Sequence, residues 1–517
     1  MISHIMEYLN AGYPALWIKD WEVDRVVNEL KRVQKGKTKT KKRIWSCTRG
    51  FVDPDTKKVF EKTADPYAAL NFVESEYNGK EKIDEPCVYI FQNFHKKQWF
   101  EDFHIIQKIK ELIPIAKGNE RHLIFVSPIV KLPIELQKDI TLLEFGLPNV
   151  EELDKVLDSV LISIGSKPAI LDRDKLLQST LGLTLAEAEN AFALAYVKHK
   201  EFNHAAIETV QKLKAQFVNN TGILEFIPPK FQLEDIGGLN YLKEWALKRK
   251  NHFLPIASNF GLRPPKGVLV TGVPGCGKSL TAKALAAAWQ MPLLRFDIGR
   301  IFGSLVGESE EQMRMALKTA EAISPCILWF DEIEKMFAGV GGGNNGDSGV
   351  TQRVFGFFLT WMQEKEHPVF LFATANNIEA MPPEFTRKGR FDEVFFVDLP
   401  NDDERKAIVE IHLTKRKKKP DYFDLPELVR ESQGYSGAEI EEAIESALSN
   451  AFDQDMRELT TEDIVQAFNE SIPLSTSRKE QIENLRKWAE ERARNASGQQ
   501  VLVPIPDTVS GNRVIHS

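Results

Sequence analysis

An apolar run, Gly267–Thr271, leads directly into Gly272-Val273-Pro274-Gly275-Cys276-Gly277-Lys278-Ser279, and a helix-forming stretch opens at Ser279-Leu280. No other stretch of the chain constrains the fold as tightly. It fills every fixed position of GxxxxGK(S/T) in the strand-to-helix setting that the pattern requires. Glycines at 272, 275 and 277 let backbone N–H groups close around phosphate oxygens, and the helix N-terminus adds its positive end. Lys278 would place a charge on the β- and γ-phosphates, and Ser279 a hydroxyl on Mg2+.

Downstream, the apolar run Cys326–Phe330 ends in Asp331-Glu332. Alone, such a pair is usually a solvated strand end; beside a complete phosphate loop it reads as catalytic. Asp331 would hold Mg2+ through water, and Glu332 would polarise an attacking water. Asn376 follows the run Val369–Ala373, at the strand end where open parallel sheets bind ligands. There it would orient the same water or touch the γ-phosphate. Arg387 and Arg390, in Phe385-Thr386-Arg387-Lys388-Gly389-Arg390-Phe391-Asp392, read by themselves as surface charges on a loop.

Taken in this order, the motifs resemble the AAA subgroup of the AAA+ ATPases over Phe231–Leu474. Asp235-Ile236-Gly237-Gly238 resembles the family's adenine-side loop, and Val306-Gly307-Glu308-Ser309-Glu310 the segment after its central-pore loop. Gly434-Tyr435-Ser436-Gly437-Ala438 resembles the lid motif of members that lack a sensor arginine. Arg387 and Arg390 match the paired arginine fingers that point into a neighbouring subunit's site. The resemblance implies ATP as substrate with Mg2+ as cofactor, held by Asp235, Ile236, Gly237, the loop from Val273 to Leu280, Gly437 and Ala438. It also implies a homo-oligomer, a six-membered ring with ATP sites between subunits. In members that thread polypeptide the pore loop carries an aromatic residue; register from Gly307 puts Leu305 there, a departure that places vigorous threading in doubt. The glycine-rich run Gly339–Gly346 is either a second pore loop or a solvated mobile loop.

Before the phosphate loop, the runs Pro14–Ile18, Arg43–Ser46, Cys87–Phe91, His122–Val126 and Leu142–Phe145 anticipate the later series Gly267–Thr271, Pro292–Phe296, Cys326–Phe330, Val369–Ala373 and Val394–Val397. Strands alternating with helix-like stretches imply parallel sheets covered on both faces. At one constant offset of 252, Leu147-Pro148-Asn149 matches Leu399-Pro400-Asn401, Gly182 matches Gly434, and Ala186-Glu187 matches Ala438-Glu439. The expected fold is therefore α/β: a phosphate-loop parallel sheet with a helical lid, preceded by a degenerate copy with its own lid. The expected boundaries are 1–147 for the degenerate sheet domain, 148–216 for its lid, and 217–232 for a linker. The ATPase sheet domain follows at 233–400, its lid at 401–475, and a helix with a disordered tail from Asn495 at 476–517. In the first copy Lys19-Asp20-Trp21-Glu22-Val23-Asp24-Arg25 replaces the phosphate loop, and Gln92-Asn93 replace the carboxylates. No glycine admits a phosphate there, and three acidic side chains would repel one. This copy reads as a scaffold or partner-binding domain.

Composition then narrows the class. A net charge of -7 argues against a surface built to hold nucleic acid, and the basic stretches Lys31–Arg43 and Lys415–Lys419 read as solvated segments. The four scattered cysteines form neither a zinc site nor a disulfide framework. Cys276 lies inside the cradle, where it is either a passive small residue or a redox-sensitive one. No signal peptide and no membrane span is expected, which points to a cytoplasmic protein, or a stromal one if plastid-encoded. The inactive first copy, the single active module and the tail Ile472-Pro473-Leu474-Ser475 before Ile482–Ala489 resemble one AAA ATPase family, a hypothetical chloroplast open reading frame of cyanobacteria and algal plastids. That resemblance carries a connection with inorganic-carbon use and photosynthetic regulation. The expected function is ATP-driven remodelling or regulation of a protein partner; the alternatives are a nucleic-acid-stimulated motor and a slow nucleotide-dependent scaffold.

Overall fold

The computed structural model describes residues 2–498 apart from 35–39, 79–84, 119, 131, 145, 166–167, 221, 229, 303–307, 338–347 and 388. The chain divides into two units, Met1–Leu147 and Pro148–Ser517.

In the first unit the apolar runs form β1 (Ala15–Lys19), β2 (Lys41–Ser46), β4 (Cys87–Gln92), β5 (Arg121–Ser127) and β6 (Thr141–Glu144), with a short β3 (Gly50–Val52) between them. The sheet order is β3-β2-β4-β5-β1-β6. Alternate side chains go to opposite faces, so a continuously apolar strand fills two cores at once. Trp17, Phe91 and Phe125 pack on one face, with Phe91 and Phe125 stacked at 5.1 Å between centroids. Leu16, Ile18, Ile90 and Val126 fill the other. The edge departs from the all-parallel expectation, because β3 folds back antiparallel on β2. Gly50 permits that close return: its φ is 69°, and an added Cβ would lie 2.3 Å from Thr63 Oγ1.

The second unit opens with four helices, Val150–Ile164, Arg173–Thr180, Leu185–His199 and His204–Asn220. Its sheet contains β7 (Leu224–Ile227), β8 (Gly267–Gly272), β9 (Leu293–Phe296), β10 (Cys326–Phe330), β11 (Val369–Ala375), β12 (Glu393–Val397) and β13 (Arg494–Asn495). The order is β13-β12-β8-β11-β10-β9-β7. Read from the other edge, β9-β10-β11-β8-β12 repeats β2-β4-β5-β1-β6 of the first unit, and each series carries one antiparallel edge strand.

The offset of 252 has a physical basis in helix caps. Asn149, Asp172 and Thr184 each accept a backbone N–H in the first turn of the helix they open. Asn401, Asp424 and Ser436 do the same for Asp402–Lys415, Leu425–Glu431 and Gly437–Asp453. Such caps satisfy otherwise orphaned donors, so they fix where a helix begins. Gly182 and Gly434, with φ of 88° and 83°, hold the equivalent turns.

Two expectations about connections change. Within 217–232, expected to be a linker, β7 pairs antiparallel with β9; Leu224 is buried, and Asn219 Oδ1 accepts Phe226 N–H at 2.8 Å. At the other end, Asn495 does not begin a disordered tail. Arg494–Asn495 adds β13 parallel to β12, and Ala496 is fully buried. Both strands are too short to show a period of two in sequence, and β13 is polar as well. The helix before β13, Lys479–Arg492, is held by Arg486, whose guanidinium meets Asp398 at 2.9 Å.

Candidate nucleotide site

Four adjacent parallel strands, β12, β8, β11 and β10, bring their carboxyl ends together. β8 delivers the loop. Gly272 has φ 139°, and a Cβ there would lie 2.0 Å from Val397 O; the next residue, Val273, donates its N–H to that oxygen at 2.9 Å. Gly275 and Gly277 have φ of 77° and 84°, in the region that excludes most side chains. Gly277 is the N-cap of Lys278–Trp289. The loop is therefore wrapped by backbone, with the helix N-terminus facing its interior.

Lys278 is buried, and its ammonium donates to Gly272 O at 2.9 Å and Val273 O at 2.8 Å. Burial brings its pKa down to about 8, against the pull of Glu334, Asp331 and Glu332. Ser279 Oγ donates to Asp331 Oδ1 at 2.8 Å. The same carboxylate oxygen accepts Thr374 Oγ1 at 2.7 Å, and Thr374 in turn accepts the Glu332 N–H at 3.0 Å. Glu332 has φ 51°, left-handed for a non-glycine residue, and this bond holds it there. Asn376 Nδ2 donates to Glu332 Oε1 at 2.9 Å, and Lys335 ion-pairs with Glu332 from one turn on. Ser279, Asp331, Glu332 and Asn376, drawn from three elements, are thus linked through Thr374 into one chain.

The lid closes the cradle. Ala438 N–H donates to Gly275 O at 2.9 Å, and a Cβ on Gly275 would lie 2.8 Å from Ser436 Oγ. Asp235, Ile236 and Gly237 form a loop against the lid helix Asp402–Lys415, where a Cβ on Gly237 would lie 2.5 Å from Ile408 Cγ1. A Cβ on Gly437 would likewise lie 3.6 Å from Ile408 Cδ1, so one apolar side chain lies beside both the loop and the lid start. The neighbouring Cys276 thiol is pushed up to about 12 by burial, which keeps it protonated near neutrality.

Arg387 and Arg390 stand elsewhere. Their loop is tied to the first residue of β8: Asp392 accepts Gly267 N–H at 2.9 Å, and Lys266 Nζ donates to Gly389 O at 2.9 Å. The phosphate loop leaves from the last residue of that strand, roughly 16 Å away at about 3.3 Å per residue. Arg390 Nε and Nη1 are shielded from solvent yet meet no acceptor among the described residues. Burial and the neighbouring Arg387 depress its pKa.

Comparison with known proteins places this geometry. A model of the ATPase family associated with various cellular activities (AAA) matches residues 268–399, and an AAA+ lid domain matches 423–466. The first part matches the N-terminal and second domains of SpoVK-like AAA ATPases at 1–145 and 151–221. A Guillardia theta protein described as "Uncharacterized AAA domain-containing protein ycf46" is 38% identical over 482 residues, 93% of each chain. The chain belongs to the ycf46 family of AAA ATPases. A Pyropia yezoensis relative of the same description is 37% identical over 493 residues, 95% of this chain and 98% of that one. "ATPase family protein 2 homolog" of Caenorhabditis elegans is 34% identical over 276 residues, 51% of this chain and 37% of its own length. As a ycf46-family AAA protein the chain binds ATP and hydrolyses it.

The first unit of this ycf46-family chain repeats the strand order around such a site without its chemistry. After β1, Asp20 is salt-bridged to Arg25 at 2.7 Å and accepts Glu22 N–H at 2.7 Å, closing the turn where a phosphate loop would open. After β4, Asn93 has φ 55°, close to the 51° of Glu332, but carries an amide.

Sequence reasoning missed Thr374, Glu334 and Ile408. Thr374 could have been found as a hydroxyl in an otherwise apolar strand beside the phosphate loop. Glu334 accepts Asn376 N–H at 2.9 Å, which a turn sequence does not reveal. Ile408 lies on a lid helix whose face cannot be assigned without the tertiary fold. The expected pore positions, Leu305 and Gly339–Gly346, lie outside the described residues. Among the described residues, no cluster of three or more acidic, histidine or cysteine side chains could hold a metal, and no helix is long and apolar enough to cross a membrane.

Proposed function

We propose that this chain is a Mg2+-dependent ATPase that works as a ring, of six copies by family likeness, on a protein partner engaged in part by its first unit. The supporting observation is the hydrogen-bonded chain from Ser279 through Asp331 and Thr374 to Glu332 and Asn376.

Mg2+ fits this donor set. Ser279 Oγ and the Asp331 carboxylate offer hard oxygens side by side, and Mg2+ is ordinarily held by one or two protein oxygens together with substrate phosphates. Bound there, it would neutralise charge on the β- and γ-phosphates. Lys278 would release its two backbone carbonyls and turn to phosphate oxygens. Glu332 would accept the proton of the attacking water, with Asn376 fixing its carboxylate and Thr374 fixing its backbone. Ile236, Gly237, Gly437 and Ala438 would enclose the base side.

The arginine loop supports a ring. The loop of Arg387 and Arg390 is tied to the amino end of β8 while the phosphate loop leaves from its carboxyl end, so their acceptor would be the γ-phosphate of a neighbour. The nucleic-acid reading loses support, because an arginine in each basic segment is already paired with carboxylates. Arg43 pairs with Asp53 at 2.6 Å and Glu76 at 3.1 Å, and Arg416 pairs with Glu445 at 2.6 Å. Likeness to the plastid-encoded family supports a cytoplasmic or stromal setting and a part in photosynthetic or inorganic-carbon regulation.

Glu332→Gln tests the reading. The variant should bind ATP, hydrolyse it roughly a hundredfold more slowly or worse, and retain its partner through purification in ATP. Wild-type turnover by this variant would refute the assignment of Glu332. Stimulation of the wild-type enzyme by unfolded protein supports remodelling, whereas salt-sensitive stimulation by polynucleotide supports the motor.

A further inference from the structure

We propose that residues 494–498 form a strap that tunes nucleotide affinity through Glu404, a carboxylate with no part in the chemistry. The inference rests on the assignment of Asp235–Gly237 to the base side of the site.

Glu404 is a buried residue in the first turn of the lid helix Asp402–Lys415. Its Oε2 accepts Asn401 N–H at 3.0 Å, completing the cap of that helix. Its Oε1 reaches out of the lid twice. It accepts Leu239 N–H at 3.1 Å, directly after the base-side loop, and Ser497 Oγ–H at 2.6 Å. The approach is close: Gly238 has φ 79°, and a Cβ there would lie 2.2 Å from Glu404 Oε1. Lid, base-side loop and the 494–498 segment therefore meet at one carboxylate, and the donors from Asn401, Leu239 and Ser497 are all neutral. A charged acceptor shared by neutral donors is worth more than a neutral hydrogen bond, and its loss inside a buried site is costly.

The strap itself is well anchored. Ala496 N–H donates to Phe396 O at 2.9 Å, and Ala496 O accepts Leu242 N–H at 3.1 Å, in the first turn of Asn240–Arg249. Arg494 meets Glu393 at 3.0 Å and donates to Tyr241 Oη at 2.8 Å. Asn495 Oδ1 accepts Ser497 N–H at 2.9 Å, which sets the turn that aims the hydroxyl at Glu404. None of these contacts touches β10 or β11, which carry Asp331, Glu332 and Asn376. A cavity of about 550 Å3, lined by Asp235, Ile236, Gly238, Lys243, Glu404 and Lys415 among others, lies beside the latch. Loosening it leaves the base-side loop free to separate from the lid, and nucleotide must then order both. The effect falls on binding and spares the chemical step.

The test uses full-length Ser497→Ala, with Ser497→Thr as the conservative variant that restores the hydroxyl. Kd values for ATP and for inorganic tripolyphosphate, which has no base, are measured beside KM and kcat. The expected result is an ATP Kd and KM raised about tenfold, kcat within about twofold, tripolyphosphate affinity unchanged, and recovery in Ser497→Thr. Unchanged ATP affinity in Ser497→Ala would overturn the strap. Equal weakening of ATP and tripolyphosphate would overturn the base-side assignment on which it rests, by locating the effect at the phosphate loop. A fall in kcat at constant KM would also contradict the proposal.

Discussion

Asp392 holds Gly267 from both sides, accepting its N–H on the side chain and donating its own N–H to its carbonyl, each at 2.9 Å. This pairing fixes the arginine loop at the amino end of β8, while the phosphate loop leaves from the carboxyl end of the same strand. Near this clamp Arg390 Nε and Nη1 are shielded and meet no acceptor among the described residues, which leaves two donors for an anion arriving from outside the subunit.

Thr374 is expected to act on rate through the groups it holds. Thr374→Val removes the donor to Asp331 and the acceptor for Glu332 N–H, and keeps the shape of the side chain. Steady-state kinetics should show kcat lowered by about 10- to 100-fold, in line with the loss of one or two hydrogen bonds to charged or strained groups. Thr374→Ser should retain most of the activity. Equal kcat for wild type and Thr374→Val would show that the hydroxyl is incidental.

Much of this site was legible in sequence, because phosphate chemistry demands fixed residue types at fixed spacing. Lys278, Ser279 and Asp331 fall where the loop and strand patterns put them, and the central strands of both sheets follow the apolar runs. Helix starts were readable too, since Asn401 and Ser436 carry cap chemistry in their side chains. What could not be read is what depends on long-range backbone geometry. β7 and β13 gain their pairing from a sheet edge built elsewhere. Glu404 looks in sequence like an ordinary capping-box residue; only the fold brings Leu239 and Ser497 to its second oxygen.

Lys214 gives the fold a pH signature. It is fully buried between the first helical layer and the sheet, near Cys326, and burial brings its pKa from 10.5 down to about 8. Between about pH 8 and 10.5 the unfolded chain binds a proton that the folded one does not, so stability rises with pH across that window. At pH 7 the folded state carries the full cost of the buried charge. Lys214→Met should therefore raise stability at pH 7 by roughly 2–3 kcal/mol and lessen the rise, to which the buried Lys278 and Lys365 also contribute, as read by thermal melts from about pH 7 to 10. A variant melting below wild type at pH 7 would contradict this.

Cys276 should be a poor redox sensor despite its place in the loop. With its thiol held near 12, almost none is thiolate at neutral pH, and thiolate is the reactive form. Peroxide should inactivate wild type and Cys276→Ala at equal rates. Protection by the substitution would show that the thiol is reached and oxidised.

The central claim is that hydrolysis at this cradle needs an arginine from another copy. Mixing two inactive variants tests it most directly. Arg390→Ala keeps a complete cradle without its finger, and Glu332→Gln keeps the finger without the catalytic carboxylate. Each alone should bind ATP and turn over slowly, by about 10³-fold or more for the arginine variant. Mixed before assembly, they should regain a substantial part of wild-type ATPase activity, because subunits carrying Glu332→Gln supply Arg390 to intact cradles. Mixtures no more active than the sum of the two variants, under conditions where co-assembly is demonstrated, would contradict the account.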